Sequence, residues 1–104
     1  MKKYKKNGNG GMKKATDLEN KEIEFPVTFR LKAVMVGTVD DDQNKQKLIQ
    51  VFDNLDIEYK YHDKRLSSKG AYVSFTYEVT LLNKKQMDRL YADLKSIKEL
   101  KFAV

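Results

Sequence analysis

Between Val27 and Ala33 apolar and polar side chains take turns: Val27, Phe29, Leu31 and Ala33 fall on one side, Thr28, Arg30 and Lys32 on the other. A period of two is that of a strand with one face buried and the other wet. Pro26 stands at its entrance, where a missing N–H does least harm. Gly37 and the run Thr-Val-Asp-Asp-Asp end the alternation, and the period then changes. Leu48, Val51, Phe52 and Leu55 recur at helical spacing, which predicts a helix over 43–55. Asp40, Asp41 and Asp42 precede it, where a carboxylate caps free N–H groups and meets the positive end of the helix dipole.

Ile57, Tyr59 and Tyr61 alternate with Glu58, Lys60 and His62, giving a second strand. Strict alternation sends Asp63 to the side opposite His62. Ser67, Ser68, Lys69 and Gly70 make a turn. Ala71, Val73, Phe75, Tyr77, Val79 and Leu81 then alternate with Tyr72, Ser74, Thr76, Glu78 and Thr80, the longest strand of the chain. Asn83 is a suitable cap for a second helix carrying Met87, Leu90, Tyr91, Leu94 and Ile97. Residues 100–104 read as a short last strand with Leu100, Phe102 and Val104 on one side.

The element order is therefore βαββαβ. With right-handed crossovers it folds as an α+β, ferredoxin-like two-layer sandwich, its antiparallel sheet in order 4-1-3-2 and both helices on one face. Lys60, Lys64 and Arg65 suit a second strand at the sheet edge, where charge deters further pairing. The last strand is the other edge. Only Lys101 deters pairing there, so a homodimer through this C-terminal edge is expected.

The formal net charge of +6 changes meaning once it is located. Lys2, Lys3, Lys5, Lys6, Lys13 and Lys14 lie within the first 14 residues, which hold no acid; the rest of the chain has 15 basic and 15 acidic side chains. Residues 1–22 are expected to form a disordered lysine-rich tail, and residues 23–104 the domain. The tail can touch nucleic acid through charge alone, without selectivity. No stretch is long and apolar enough for a membrane helix, and the basic start is followed by Asn-Gly-Asn-Gly-Gly rather than an apolar segment, so a cytoplasmic protein is expected. The absence of cysteine from the sequence removes disulfides and thiolate chemistry.

Lys69 to Phe75, Lys-Gly-Ala-Tyr-Val-Ser-Phe, approaches the third-strand signature of RNA-recognition motifs. Such modules stack bases on two or three rings of the open sheet face. Here that face offers Tyr72 alone among the central strands, Thr28 and Arg30 stand where a second ring belongs, and Glu78 adds the wrong charge. RNA binding through this face and the tail is thus the secondary expectation. His62 is the sole histidine, with no serine or cysteine placed beside it by the pattern, so no catalytic pair is expected. The three aspartates lack the spacing and glycine of a calcium loop, and no metal or cofactor is expected.

Three segments together carry a resemblance: Glu24 to Phe29 (Glu-Phe-Pro-Val-Thr-Phe), Ser67 to Ser74 (Ser-Ser-Lys-Gly-Ala-Tyr-Val-Ser) and Leu90 to Ile97 (Leu-Tyr-Ala-Asp-Leu-Lys-Ser-Ile). In this order they resemble the YbeD-like family of small bacterial proteins, over about residues 24–104. The resemblance implies the α/β sandwich used by ACT regulatory domains, which bind small ligands or pair with one another. With the open polar sheet face, the exposed edge strand and no catalytic set in the sequence, a non-enzymatic regulatory or adaptor domain for a protein partner or small ligand is expected. The surface expected to serve it is Arg30, Ser67, Ser68, Lys69, Gly70, Tyr72 and Ser74.

Overall fold

The computed structural model describes residues 13–14 and 23–104. Its elements are β1 (Lys13–Lys14), β2 (Val27–Val36), α1 (Asp41–Asn54), β3 (Glu58–Leu66), β4 (Tyr72–Leu81), α2 (Lys84–Lys95) and β5 (Leu100–Ala103). The two central strands, β2 and β4, are antiparallel and in unbroken register from Val27↔Leu81 to Val36↔Tyr72. β3 lies outside β4 and β5 outside β2. The order β5-β2-β4-β3 is that expected from the alternation.

Phe29, Leu31, Ala33 and Met35 of β2 and Val73, Phe75, Tyr77, Val79 and Leu81 of β4 are buried beneath Leu48, Phe52, Leu90 and Leu94 of the two helices. The helices thus share one face of the sheet and leave the other open. Each is started by the side chain of its cap residue. The Asp40 carboxylate accepts the Asp42 N–H at 3.1 Å, and the Asn83 side-chain Oδ1 accepts the Gln86 N–H at 2.8 Å. At the far end of α1, Ile57 N–H donates to the Phe52 carbonyl at 2.8 Å and Asp56 N–H to the Asp53 carbonyl at 3.1 Å. This is a Schellman closure with Asp56 in the left-handed region, φ 56°, a place usually taken by glycine. Gln86 Nε2 also donates to the Leu55 carbonyl at 2.9 Å, tying the start of α2 to the end of α1.

Two departures from strict alternation decide what the open face carries. Tyr61 faces Tyr77 but Asp63 faces Thr76, so His62 is an extra residue in β3. Met35 faces Leu100 but Val34 faces Phe102, so Lys101 is an extra residue in β5. A β-bulge sets two residues against one and turns the strand over beyond it. The expected opposition of His62 and Asp63 is therefore wrong, and so is the placing of Leu100 with Phe102. Leu100 packs against the core, while Phe102 is on the Val34 side, the open face.

The third departure lies at the edge. β5 pairs with β2 only along its C-terminal half, ending where Val104 and Lys32 exchange backbone hydrogen bonds of 2.8 and 2.9 Å. Below that point Lys13 and Lys14 run parallel to β2 beside Phe29 and Arg30. At these two residues the expected disordered tail gives way to a strand. The remainder of residues 1–22 lies outside the described residues.

Candidate functional site

The open face is graded along the strands. At one end Glu58, Glu78 and the Thr28–Thr80 pair, with hydroxyls 2.9 Å apart, face water. In the middle Arg30, Lys32 and Arg65 surround a shallow depression of about 250 Å³, floored by Ser74 and Thr76 and walled by His62 and Asp63. At the other end stand Val34, Val36, Tyr72 and Phe102.

The local reasons are backbone register. Arg30 and Lys32 sit at successive open-face positions of β2, and Ser74 and Thr76 answer them on β4. Asp63 and Arg65 reach the same face only because the bulge at His62 resets β3. His62 Nε2 lies 3.2 Å from Glu78 Oε1, so its imidazole is engaged by a carboxylate and not by a hydroxyl. Ser74 Oγ donates to the Arg65 carbonyl at 3.4 Å, a long bond across the β3–β4 pair. Three permanent cations outweigh Asp63 in the depression and Glu78, which faces Arg30 at its border, and exposed guanidinium and ammonium groups beside hydroxyls recognise oxyanions.

The expected surface divides. Arg30 and Ser74 belong to the depression. The turn does not: Ser67 N–H donates to the Tyr72 carbonyl at 2.9 Å and Gly70 N–H to the Ser67 carbonyl at 3.0 Å. Ser67 Oγ accepts the Tyr72 N–H at 3.1 Å. Those groups close the hairpin, and Gly70 supplies the positive φ of 72° that the turn requires. Ser68 and Lys69 project into solvent at its tip. Tyr72 is on the open face as expected, with Lys101 Nζ 5.6 Å from its ring centre.

Lys32, His62, Asp63, Arg65 and Thr76 complete the depression and were not singled out from the sequence as site residues. For Lys32 and Thr76 the alternation already shows the right face. For His62 the same alternation, with Glu58 and Lys60, shows it too; for Asp63 and Arg65 nothing short of the bulge could, and the same holds for Phe102. Among the described residues no group of three or more His, Asp or Glu is gathered so as to hold a metal ion, and no helix is long and apolar enough to cross a membrane.

Comparison with known proteins agrees with this architecture. The family described as "Protein of unknown function (DUF493)" matches residues 20–104. A UPF0250 protein of Neisseria gonorrhoeae is 37% identical over 84 residues, covering 78% of this chain and 90% of the relative. A UPF0250 protein of Shewanella woodyi is 34% identical over 79 residues, 76% of this chain and 86% of the relative. Among solved structures, HP0495 of H. pylori superposes with a TM-score of 0.65 at 14% identity, covering 91% of this chain and 97% of that one. The C-terminal domain of MgtC from Mycobacterium tuberculosis superposes at 0.60 with 12% identity, over 80% and 88% of the two chains.

Proposed function

The chain belongs to the DUF493 family, the YbeD-like proteins whose segments it resembles, and on that premise we propose that it is a non-enzymatic regulatory domain whose open sheet face holds a small oxyanion ligand. The observation that carries this reading is the convergence of Arg30, Lys32 and Arg65 on one depression lined with hydroxyls. A binding role rather than catalysis is supported by His62, the single imidazole of the chain, which is engaged by Glu78 at 3.2 Å. The two similar solved structures support the fold alone.

The affinity follows from the exposure of the cations. Ion pairs at exposed sites contribute up to about 1 kcal/mol each, so three of them hold inorganic phosphate in the millimolar range. A ligand with several phosphates or carboxylates binds more tightly. Titration of tripolyphosphate into the full chain, followed by calorimetry, tests the reading. Arg30→Gln or Lys32→Gln is expected to weaken binding by up to about fivefold, and raised salt to weaken it further. Lack of binding, or binding indifferent to both substitutions, refutes it.

A further inference from the structure

We infer that the oxyanion is the phosphate group of a nucleotide whose base lies on the ring of Phe102; the inference rests on the anion-binding reading above and names its ligand class. A single exposed apolar residue ordinarily means nothing. Phe102 differs in where the bulge at Lys101 puts it. It is 51% exposed and lies on the same face as the three cations.

Val104 exchanges two backbone hydrogen bonds with Lys32. Phe102, two residues earlier on β5, is thus the diagonal neighbour of Lys32, at roughly 7–8 Å. That separation suits one nucleoside, with the base over the ring and the 5′-phosphate among Lys32, Arg30 and Arg65. Aromatic rings accept any base by stacking, and the apolar neighbour Val34 extends the platform. Tyr72 lies two strands away from Phe102, roughly 10 Å across the sheet, and it faces Val36, four residues beyond Lys32, so the ring beside the cations is that of Phe102. Lys101 also stands beside the Tyr72 ring, 5.6 Å from its centre. One available ring beside one basic depression fits a mononucleotide better than a strand of bases, which needs rings at regular steps.

The test compares ATP with tripolyphosphate, which has the same number of phosphates and no base, in calorimetric titrations of the full chain. ATP is expected to bind about tenfold more tightly, the lower range of one base-on-ring stack. Phe102→Leu keeps an apolar edge and removes the ring; it should bring ATP down to the level of tripolyphosphate and leave tripolyphosphate itself unchanged. Phe102→Tyr should retain the difference, which separates loss of stacking from loss of structure. Equal binding of ATP and tripolyphosphate, both still dependent on Arg30 and Lys32, overturns the nucleotide and leaves the anion site standing. Binding of neither overturns both. An oligoribonucleotide whose affinity climbs with each added residue and falls with Tyr72→Ala overturns the nucleotide in favour of a single-strand platform.

Discussion

Replacing Tyr77 by Phe should make this protein more stable, although it removes a polar group from a β4 side chain that is only 1% exposed. The ring lies in an aromatic cluster, with centroids 5.2 Å from Phe52, 5.3 Å from Tyr61 and 5.9 Å from Tyr59. Its hydroxyl is buried and finds no hydrogen-bond partner among the described residues. In the unfolded chain that hydroxyl is hydrated. Folding strips it of water without replacement, at a cost of about 1–3 kcal/mol. Phe keeps the ring contacts and deletes the uncompensated group. Against the gain stands a gap the size of one oxygen, which costs well under the roughly 1 kcal/mol of a lost methyl group. The net expectation is about 1 kcal/mol of stabilisation, or a Tm higher by about 4–8 °C for a domain of this size. Thermal unfolding followed by circular dichroism, with urea unfolding to supply the free energy, measures both. An unchanged or lower midpoint for Tyr77→Phe would refute the argument, because it would mean the hydroxyl is satisfied in the folded protein.

The same side chain sets an alkaline limit. Burial first, then the neighbouring Tyr61 and Tyr59, push the Tyr77 hydroxyl from the usual 10.0 up to about 12. The native state therefore keeps a proton that the unfolded state releases, so this contribution is intact below pH 10 and is lost as pH rises from 10 toward 12. Urea midpoints across that range should fall less steeply in Tyr77→Phe than in the parent. Asp56→Gly should stabilise by about 1 kcal/mol, since Asp56 holds φ 56° at the end of α1 where glycine meets no penalty; a loss of stability in denaturant unfolding would argue against it. Gly37→Ala should destabilise by about 3 kcal/mol, because the added methyl would stand 2.3 Å from the Gly70 carbonyl oxygen and the Gly37 N–H bond to the Ala71 carbonyl, 2.8 Å, would have to give. A midpoint within error of the parent would show that the loops can part.

The inner part of this fold was legible from residue order alone. β2 and β4 alternate without interruption, so their burial, their pairing and their outward residues Arg30, Lys32, Ser74 and Thr76 follow from a period of two. Helix ends were legible through Asp40 and Asn83, whose side chains bond where such caps do. What could not be read lies on the outer strands. His62 and Lys101 are polar residues on exposed edges, with no apolar pattern to betray an extra residue. Each inverts the strand beyond it. The turn at Ser67 to Gly70 was legible as a turn from its residue types, and the Ser67 and Gly70 amides with the Ser67 hydroxyl oxygen close the hairpin. Lys13 and Lys14 pair with β2 along the backbone ladder, and such pairing leaves no trace in side-chain pattern.

The bulges at His62 and Lys101 have a consequence for how relatives of this chain should be aligned. Both interruptions sit on flanking strands, while the central pair bears the packing of the helices. A relative can therefore gain or lose one residue in either flank, exchange which groups meet solvent, and keep its hydrophobic interior intact. Gap placement in those two segments, more than overall identity, decides whether a relative inherits the same outward chemistry.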